Sequence, residues 1–178
     1  MDYALIFLFV LALLVLLIAI LISNSVNRAK LKVEESLSGI DVALTNRYDQ
    51  ITQLAQVCKS YMSAEHQTLI DSINIRQGGT ISQMEEDSNQ LNLAASLLRV
   101  TAEAYPELKS VALYAQLMSS INETEINLSA ARRLYNSNAT YFNTQRVTFP
   151  ASFFARKYAA YELFQAESSK RIVPSLDL

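Results

Sequence analysis

The sequence predicts an all-α protein, in which an N-terminal transmembrane helix is followed by an antiparallel bundle of long helices with heptad-like packing. A long apolar run near the N-terminus predicts the span. The 178 residues include only three Gly and three Pro, which are too few turn formers for a many-stranded fold. Apolar residues recur at spacings of three and four through most of the remaining chain, as they do in amphipathic helices.

The segment 4–22, ALIFLFVLALLVLLIAILI, holds no charged or polar residue. At about 1.5 Å per residue it is roughly 28 Å long, close to the thickness of a bilayer core. An acidic residue precedes it and polar residues follow, which favours a permanent anchor over a cleaved signal peptide. Arg28, Lys30 and Lys32 follow closely, and basic residues beside a span stay in the cytoplasm. We therefore expect residues 1–3 outside and the C-terminal domain in the cytoplasm.

Residues 23–39 are polar with scattered apolar positions, which predicts a stalk that continues the membrane helix as far as a hinge at Gly39. The helical bundle is then predicted over 40–165. Its first helix is expected at 40–76, where an apolar stripe is sustained at helical spacing. A Gly-Gly pair at 78–79 ends this helix, because glycine enters left-handed conformations freely.

The most regular stripe predicts a helix over 81–104. The stretch YPELKS follows as a boundary, since Pro106 disfavours helical geometry at Tyr105 yet suits the first position of a new helix. That new helix is predicted over 107–147. Both long helices would measure about 55–60 Å, against about 36 Å for the helix at 81–104. Either the stalk or a second copy of the protein must therefore cover the rest of the apolar stripes.

The segment 151–165, ASFFARKYAAYELFQ, is crowded with aromatic residues around a basic pair. It either docks across the bundle or lies in a membrane interface, where aromatic and basic residues are favoured together. Nearby glutamates favour docking, because an anionic surface would repel them, but both interpretations stay open. The tail at 166–178 is predicted to be loosely ordered.

Several classes of function lack the residues they need. The formal net charge of -2 gives no basic footprint for nucleic acid. His66 is the only histidine and Cys58 the only cysteine, which removes most general-base, triad, zinc and di-iron schemes. We therefore expect no catalytic site, metal or cofactor. The polar candidates for a network or an interface lie on one predicted helix: Arg132, Arg133, Tyr135 and Asn136. A buried tyrosine hydroxyl and surface arginines are the alternative interpretation.

A set of motifs in fixed order carries a family resemblance. The motifs are IDVALTNRYDQITQL (40–54), YMSAEHQTL (61–69), YPELKS (105–110), TEINLSAARRLYN (124–136), and Asn143 with Phe149-Pro150. From the anchor to the tail, the chain resembles LemA proteins, which are bacterial membrane-anchored helical proteins with a short outside N-terminus and a cytoplasmic bundle. Thr52 and Gln53 stand where that family usually has proline and asparagine, and Phe142 where it has tyrosine. All three departures fit a helix.

The resemblance implies a non-enzymatic protein of the bacterial cytoplasmic membrane with a scaffolding role. Together with the apolar stripes, it predicts a helical scaffold that is held in lipid by residues 4–22 and forms a homo-oligomer. The alternative is an adaptor that presents a helical face to another membrane or signalling protein. The residues expected to carry structure or interaction are Tyr105, Pro106, Arg132, Arg133, Tyr135, Asn136, Asn143, Phe149 and Pro150.

Overall fold

The computed structural model describes residues 2–73 and 78–165, and within these ranges the protein is all-α. Its helices are α1 (Asp2–Cys58), α2 (Ala64–Asp71), α3 (Ile81–Ala104), α4 (Pro106–Lys109), α5 (Ala112–Val147) and α6 (Ser152–Ala155), with a 3₁₀ turn at Lys59–Tyr61. The predicted tail at 166–178 and the last part of the helix predicted over 40–76 lie outside the described residues.

Helix α1 contains both the apolar segment and the first long helix of the bundle. It has 57 residues, which corresponds to about 85 Å. Among the described residues it is the one helix long and apolar enough to cross a membrane, and none of its apolar window is buried. The hinge predicted at Gly39 is wrong, because α1 passes through this residue without interruption. Ser36 and Ile40 are buried on either side of it, so tertiary packing holds the helix there.

Residues 23–39 are part of the bundle rather than a separate stalk. Val26, Ala29 and Val33 are buried, and α1 packs chiefly on α5. The chain itself therefore supplies the cover that the predicted helix lengths required. Of the two alternatives given above, the stalk residues of the same chain cover the apolar stripes, and a second copy is not needed for this.

Helices α1 and α5 run in opposite directions. The Asn138 amide donates a hydrogen bond to the Lys32 carbonyl at 3.2 Å, and farther along α1 the Arg47 guanidinium pairs with Glu125 at 2.7 Å. Helix α3 packs on α1 through a buried apolar row that includes Leu91 and Leu98. It occupies Ile81–Ala104, the range that the sequence predicts.

The structure corrects the single helix predicted over 40–76. Helix α1 ends at Cys58, and a separate helix α2 starts at Ala64. Ser63 lies between them in extended geometry (φ −67°, ψ 153°) and accepts a hydrogen bond from the His66 backbone N–H at 3.3 Å. Serine in this position caps a new helix. The apolar stripe continues through the break, which is why spacing alone predicted one helix.

YPELKS contains two breaks rather than one. Tyr105 leaves the helical region (φ −125°, ψ 85°), and Pro106 takes the first position of the short helix α4. A second break at 110–111 follows, so the helix predicted from 107 begins at Ala112 instead. The physical reason is packing: the Leu108 side chain is buried in the core and holds α4 against the bundle.

Beyond α5 the chain turns at a cis Phe149–Pro150 peptide bond and forms α6. It then continues without helix to residue 165 and lies along α1 and α5. The structure thus divides the aromatic segment predicted at 151–165. Its later part docks on the bundle, while Phe153 near its start is exposed.

Candidate protein-interaction site

Residues 158–165, called the strap here, are bound to α5 by two asparagine side chains. The Asn143 amide donates to the Tyr161 carbonyl at 2.8 Å and accepts from the Tyr161 N–H at 2.9 Å. Asn136 makes the same pair of bonds with the Phe164 carbonyl and N–H, both at 2.9 Å. Asn136 and Asn143 are seven residues apart, which is about 10.5 Å along a helix. Tyr161 and Phe164 are three residues apart, which is about 10 Å along an extended chain. The two distances match, so each asparagine can bind one strap residue.

The strap presents an aromatic side chain to the helices at every third position. The Phe164 ring lies edge-on to Tyr135 with centroids 5.4 Å apart, and the Tyr161 ring lies edge-on to Phe142 at 5.2 Å. Tyr158 contacts the same Phe142 ring at 6.1 Å. Edge-to-face rings in this distance range attract each other beyond the burial of their surface. The strap therefore supplies part of the core beside α5.

Further polar contacts fix both ends of the strap. The Tyr135 hydroxyl donates to the Glu162 carbonyl at 2.9 Å, and the Arg146 Nε–H donates to the Tyr158 carbonyl at 2.8 Å. Burial raises the pKa of the Tyr135 phenol, so its hydroxyl keeps the donated proton at neutral pH. At the far end, the Gln165 N–H donates to a carboxylate oxygen of Glu85 on α3 at 3.0 Å.

Charged groups of α1 and α5 also contact the strap. The Arg132 guanidinium lies 5.5 Å from the centre of the Phe164 ring, within range of a cation–π interaction. The Lys30 ammonium lies 5.8 Å from the centre of the Tyr158 ring and pairs with Glu34, whose hydrogen bond raises the pKa of Lys30. The Tyr158 hydroxyl donates to the Asn27 side chain at 3.3 Å. The strap therefore connects α5 to the part of α1 that directly follows the apolar segment.

Four of the residues expected from the sequence come together at the strap: Arg132, Tyr135, Asn136 and Asn143. The others do not. Arg133 is exposed, Phe149 and Pro150 form the turn after α5, and Tyr105 and Pro106 lie at the α3–α4 junction. Sequence reasoning missed Arg146 and the specific partners within the strap. The available signal was the spacing Tyr158, Tyr161, Phe164.

A second polar contact missed by sequence reasoning lies inside the bundle. Arg47 is only 3% exposed, and its guanidinium bonds to the Asn92 side chain at 2.7 Å as well as to Glu125. These three residues belong to α1, α3 and α5, so the cluster fixes the relative position of three helices. The Arg47 side chain is buried and the Glu125 side chain is partly exposed, so removing Glu125 would take a charged partner from a buried guanidinium, which is destabilising. We therefore interpret this cluster as structural.

The described residues include no group of three or more His, Cys, Asp or Glu side chains that could hold a metal ion. Cys58 is fully buried, and burial raises the pKa of its thiol to about 11. The thiol is therefore neutral at physiological pH and is a poor nucleophile. The side chains around the strap bind an extended backbone. They do so through the amide hydrogen bonds of Asn136 and Asn143 and through edge-on ring contacts.

A family model described as the LemA family matches residues 36–177, well over half of the chain. The chain belongs to the LemA family. "Protein LemA" of Metamycoplasma hominis is 26% identical to it over 156 residues, which are 84% of this chain and 71% of that relative. The LemA match contains the strap and its partners on α5, and it begins after the apolar segment.

Proposed function

We propose that this LemA-family chain is a non-enzymatic scaffold of the bacterial cytoplasmic membrane that self-associates. Residues 4–22 of α1 are its anchor in lipid, with the N-terminus outside and the bundle in the cytoplasm, as the basic residues after the apolar segment indicate. The non-enzymatic role rests on a single histidine and on a single cysteine whose thiol stays neutral. The observation that carries self-association is an open flank of the α1–α5 pair.

The open flank lies on the side of the two helices opposite to the strap. It holds a groove of about 370 Å³ whose lining includes Ser36 and Gly39 of α1 and Ala131 and Leu134 of α5. On α1, Ser36 and Gly39 point at least about a third of a turn away from Asn27 and Lys30, which contact the strap. The small residues Ser36, Gly39 and Ala131 let another helix approach closely, as in ridge-and-groove packing. The polar members of the lining are Lys32, Glu35 and Asn138.

Two large side chains with exposed apolar surface lie along this flank of α5: Leu134 lines the groove, and Tyr141 lines a neighbouring groove beside Lys32. Leu134 and Tyr141 are each 57% exposed, and their spacing of seven residues places both on one side of the helix. Pairs of copies anchored in one membrane share the same orientation, so a two-fold axis along the membrane normal would place flank against flank. Self-association is proposed here from the open flank and not from the helix lengths. Residues 26–33 of the same chain already cover the apolar stripes that the helix lengths left uncovered.

Particle mass tests the proposal directly. The full chain, reconstituted in nanodiscs, is expected to show a multiple of the protomer mass, and Leu134→Glu is expected to reduce it to one protomer, because a buried unpaired carboxylate opposes association. Leu93→Glu is the matched control, since Leu93 is 51% exposed on α3, away from the groove. A wild-type monomer, or equal effects of both variants, would refute self-association through this flank.

The strap supports a second candidate, an adaptor that binds another protein. Its backbone is held by Asn136 and Asn143 in the way that a groove holds an extended peptide, so a partner segment with aromatic residues at every third position would fit in its place. Recovery from membranes with the anchor intact separates the two roles. Phe164→Ala removes the ring contact that holds the strap to Tyr135 and leaves Asn136 and Asn143 intact to bind a partner segment. A stoichiometric second protein, recovered in greater amount with Phe164→Ala, supports the adaptor, and recovery of this chain alone supports the scaffold.

A further inference from the structure

The turn after α5 lies at the level where the apolar segment of α1 ends. The Asn138 amide contacts the Lys32 carbonyl, which fixes the register of the antiparallel pair. Val147 lies nine residues, or about 13.5 Å, beyond Asn138 along α5. Because the helices are antiparallel, it is level with residue 23, which lies nine residues before Lys32 on α1. The apolar segment ends at residue 22, and Ile22 is only partly exposed, unlike the neighbouring Leu21.

The contacts of α6 place it at the same level independently. Ala155 is fully buried and α6 packs on both α1 and α5. Three residues later the Tyr158 hydroxyl bonds to Asn27 of α1. The headgroup region of a bilayer extends about 5–7 Å beyond the hydrocarbon core on each side. The chain from 147 to 153, called the corner here, therefore reaches the depth of that region when α1 spans a membrane.

The corner presents large apolar side chains outward. Phe149 and Phe153 are each 85% exposed, and Val147 is 79% exposed. Their ring and methyl surfaces face no described part of the bundle, although Phe153 does touch the neighbouring Phe154 ring at 5.5 Å. Phenylalanine in this setting partitions favourably into the boundary between headgroups and acyl chains.

Basic residues follow the exposed rings directly. Arg156 continues the helical backbone of α6 (φ −59°, ψ −26°) and lies three positions after Phe153, so both point to the same side. Arg156 and Lys157 are both exposed. Anionic lipids of the cytoplasmic leaflet attract such residues electrostatically.

We propose that the corner enters the headgroup region of the membrane that α1 spans, with Phe149 and Phe153 as inserting side chains and Arg156 and Lys157 facing anionic headgroups. This inference rests on the anchoring of α1 that the proposed function includes. The bundle then has two attachments to the same lipid surface, one through α1 and one through the corner. Two attachments fix the tilt of the bundle relative to the membrane.

The sequence contains no tryptophan, so a single substitution creates a unique fluorophore. Phe153→Trp in the full chain is reconstituted in vesicles of phosphatidylcholine and phosphatidylglycerol, with and without lipids brominated near the headgroup end of the acyl chain, and a second set of vesicles carries bromine near the methyl end to reach the bilayer centre. Leu13→Trp within the apolar segment reports on anchoring. Leu93→Trp is the negative control, because its neighbour Asn92 bonds to Arg47, about 37 Å along α1 from the end of the apolar segment.

We expect brominated lipid to quench Phe153→Trp at least about twofold more than Leu93→Trp, as interfacial burial requires. We also expect Arg156→Gln with Lys157→Gln to lower that quenching. Quenching of Leu13→Trp without quenching of Phe153→Trp overturns the corner and leaves the anchor intact. A blue-shifted Phe153→Trp emission without quenching assigns the corner to a protein contact and overturns it too. Absence of quenching at Leu13→Trp overturns both the anchor and the corner.

Discussion

At the scale of single residues, the two asparagines of α5 define the candidate site. Each side chain satisfies both the N–H and the C=O of one strap residue. The sequence predicted Asn136 and Asn143 as interaction candidates, but not their partners. The partners lie 18 and 28 positions later in a segment whose three-residue period matches neither helix nor strand. Contacts of this kind depend on the fold and cannot be obtained from spacing.

Replacing Asn136 should release the end of the strap. Asn136→Ala leaves the Phe164 N–H and C=O without their partners, at a cost of about 1–3 kcal/mol. We expect faster deuterium uptake across residues 158–165, measured by mass spectrometry, with little change in α1. Asn127→Ala, an exposed asparagine on the same helix, is the control. Unchanged uptake in the strap would contradict the role of these hydrogen bonds.

Cys58 should be unreactive in the folded protein. Its thiol is buried and its pKa is raised to about 11, so almost no thiolate exists at pH 8. We expect slow maleimide labelling of the native chain and rapid labelling in denaturant, with an added Leu93→Cys thiol labelled at once. Because the folded pKa is above the unfolded one, stability from this group is present below pH 9 and falls as the pH rises towards 11. Equal native and denatured labelling rates would contradict the burial.

At the scale of elements, apolar spacing predicted long regular helices well and their interruptions poorly. Helix α3 has the predicted range, because its apolar stripe begins and ends next to the local signals, the Thr80 cap and the Tyr105-Pro106 break. The break between α1 and α2 was missed because the stripe continues through it. Ser63, three positions before His66, was the one local sign of a cap. Gly39 predicts a hinge because glycine weakens isolated helices, yet packing of its neighbours overrides that preference.

Gly39→Ala should therefore stabilise the protein. A methyl group at this position meets no atom within 4 Å, and alanine lowers the free energy of the helix by about 0.5–1 kcal/mol relative to glycine. Urea unfolding of the detergent-solubilised monomer, followed by circular dichroism, is expected to show a higher midpoint; the monomer is used because Gly39 also lines the groove where copies are proposed to meet. Gly78→Ala is the matched control and should destabilise, because Gly78 has a φ of 73°. A lower midpoint for Gly39→Ala would indicate a bend in α1 that the helix does not show.

At the scale of the whole molecule, one helix of about 85 Å joins the apolar segment to the bundle. Its packing on α5 leaves two different flanks. The strap occupies one, and the other holds the groove lined by Leu134, with the exposed Tyr141 farther along α5. The sequence predicted the long helices and the anchor, but it could not assign the flanks, because the strap that distinguishes them follows no helical period. We therefore expect copies of the chain to meet on the open flank.

Crosslinking in membranes tests that claim most directly. Leu134→Cys places an exposed thiol in the open flank, and the buried Cys58 stays unreactive. With a short thiol-specific reagent, we expect a covalent dimer for Leu134→Cys and none for Leu93→Cys on α3. Absence of a dimer at Leu134→Cys, or equal dimer at both positions, would contradict a scaffold that self-associates through α1 and α5.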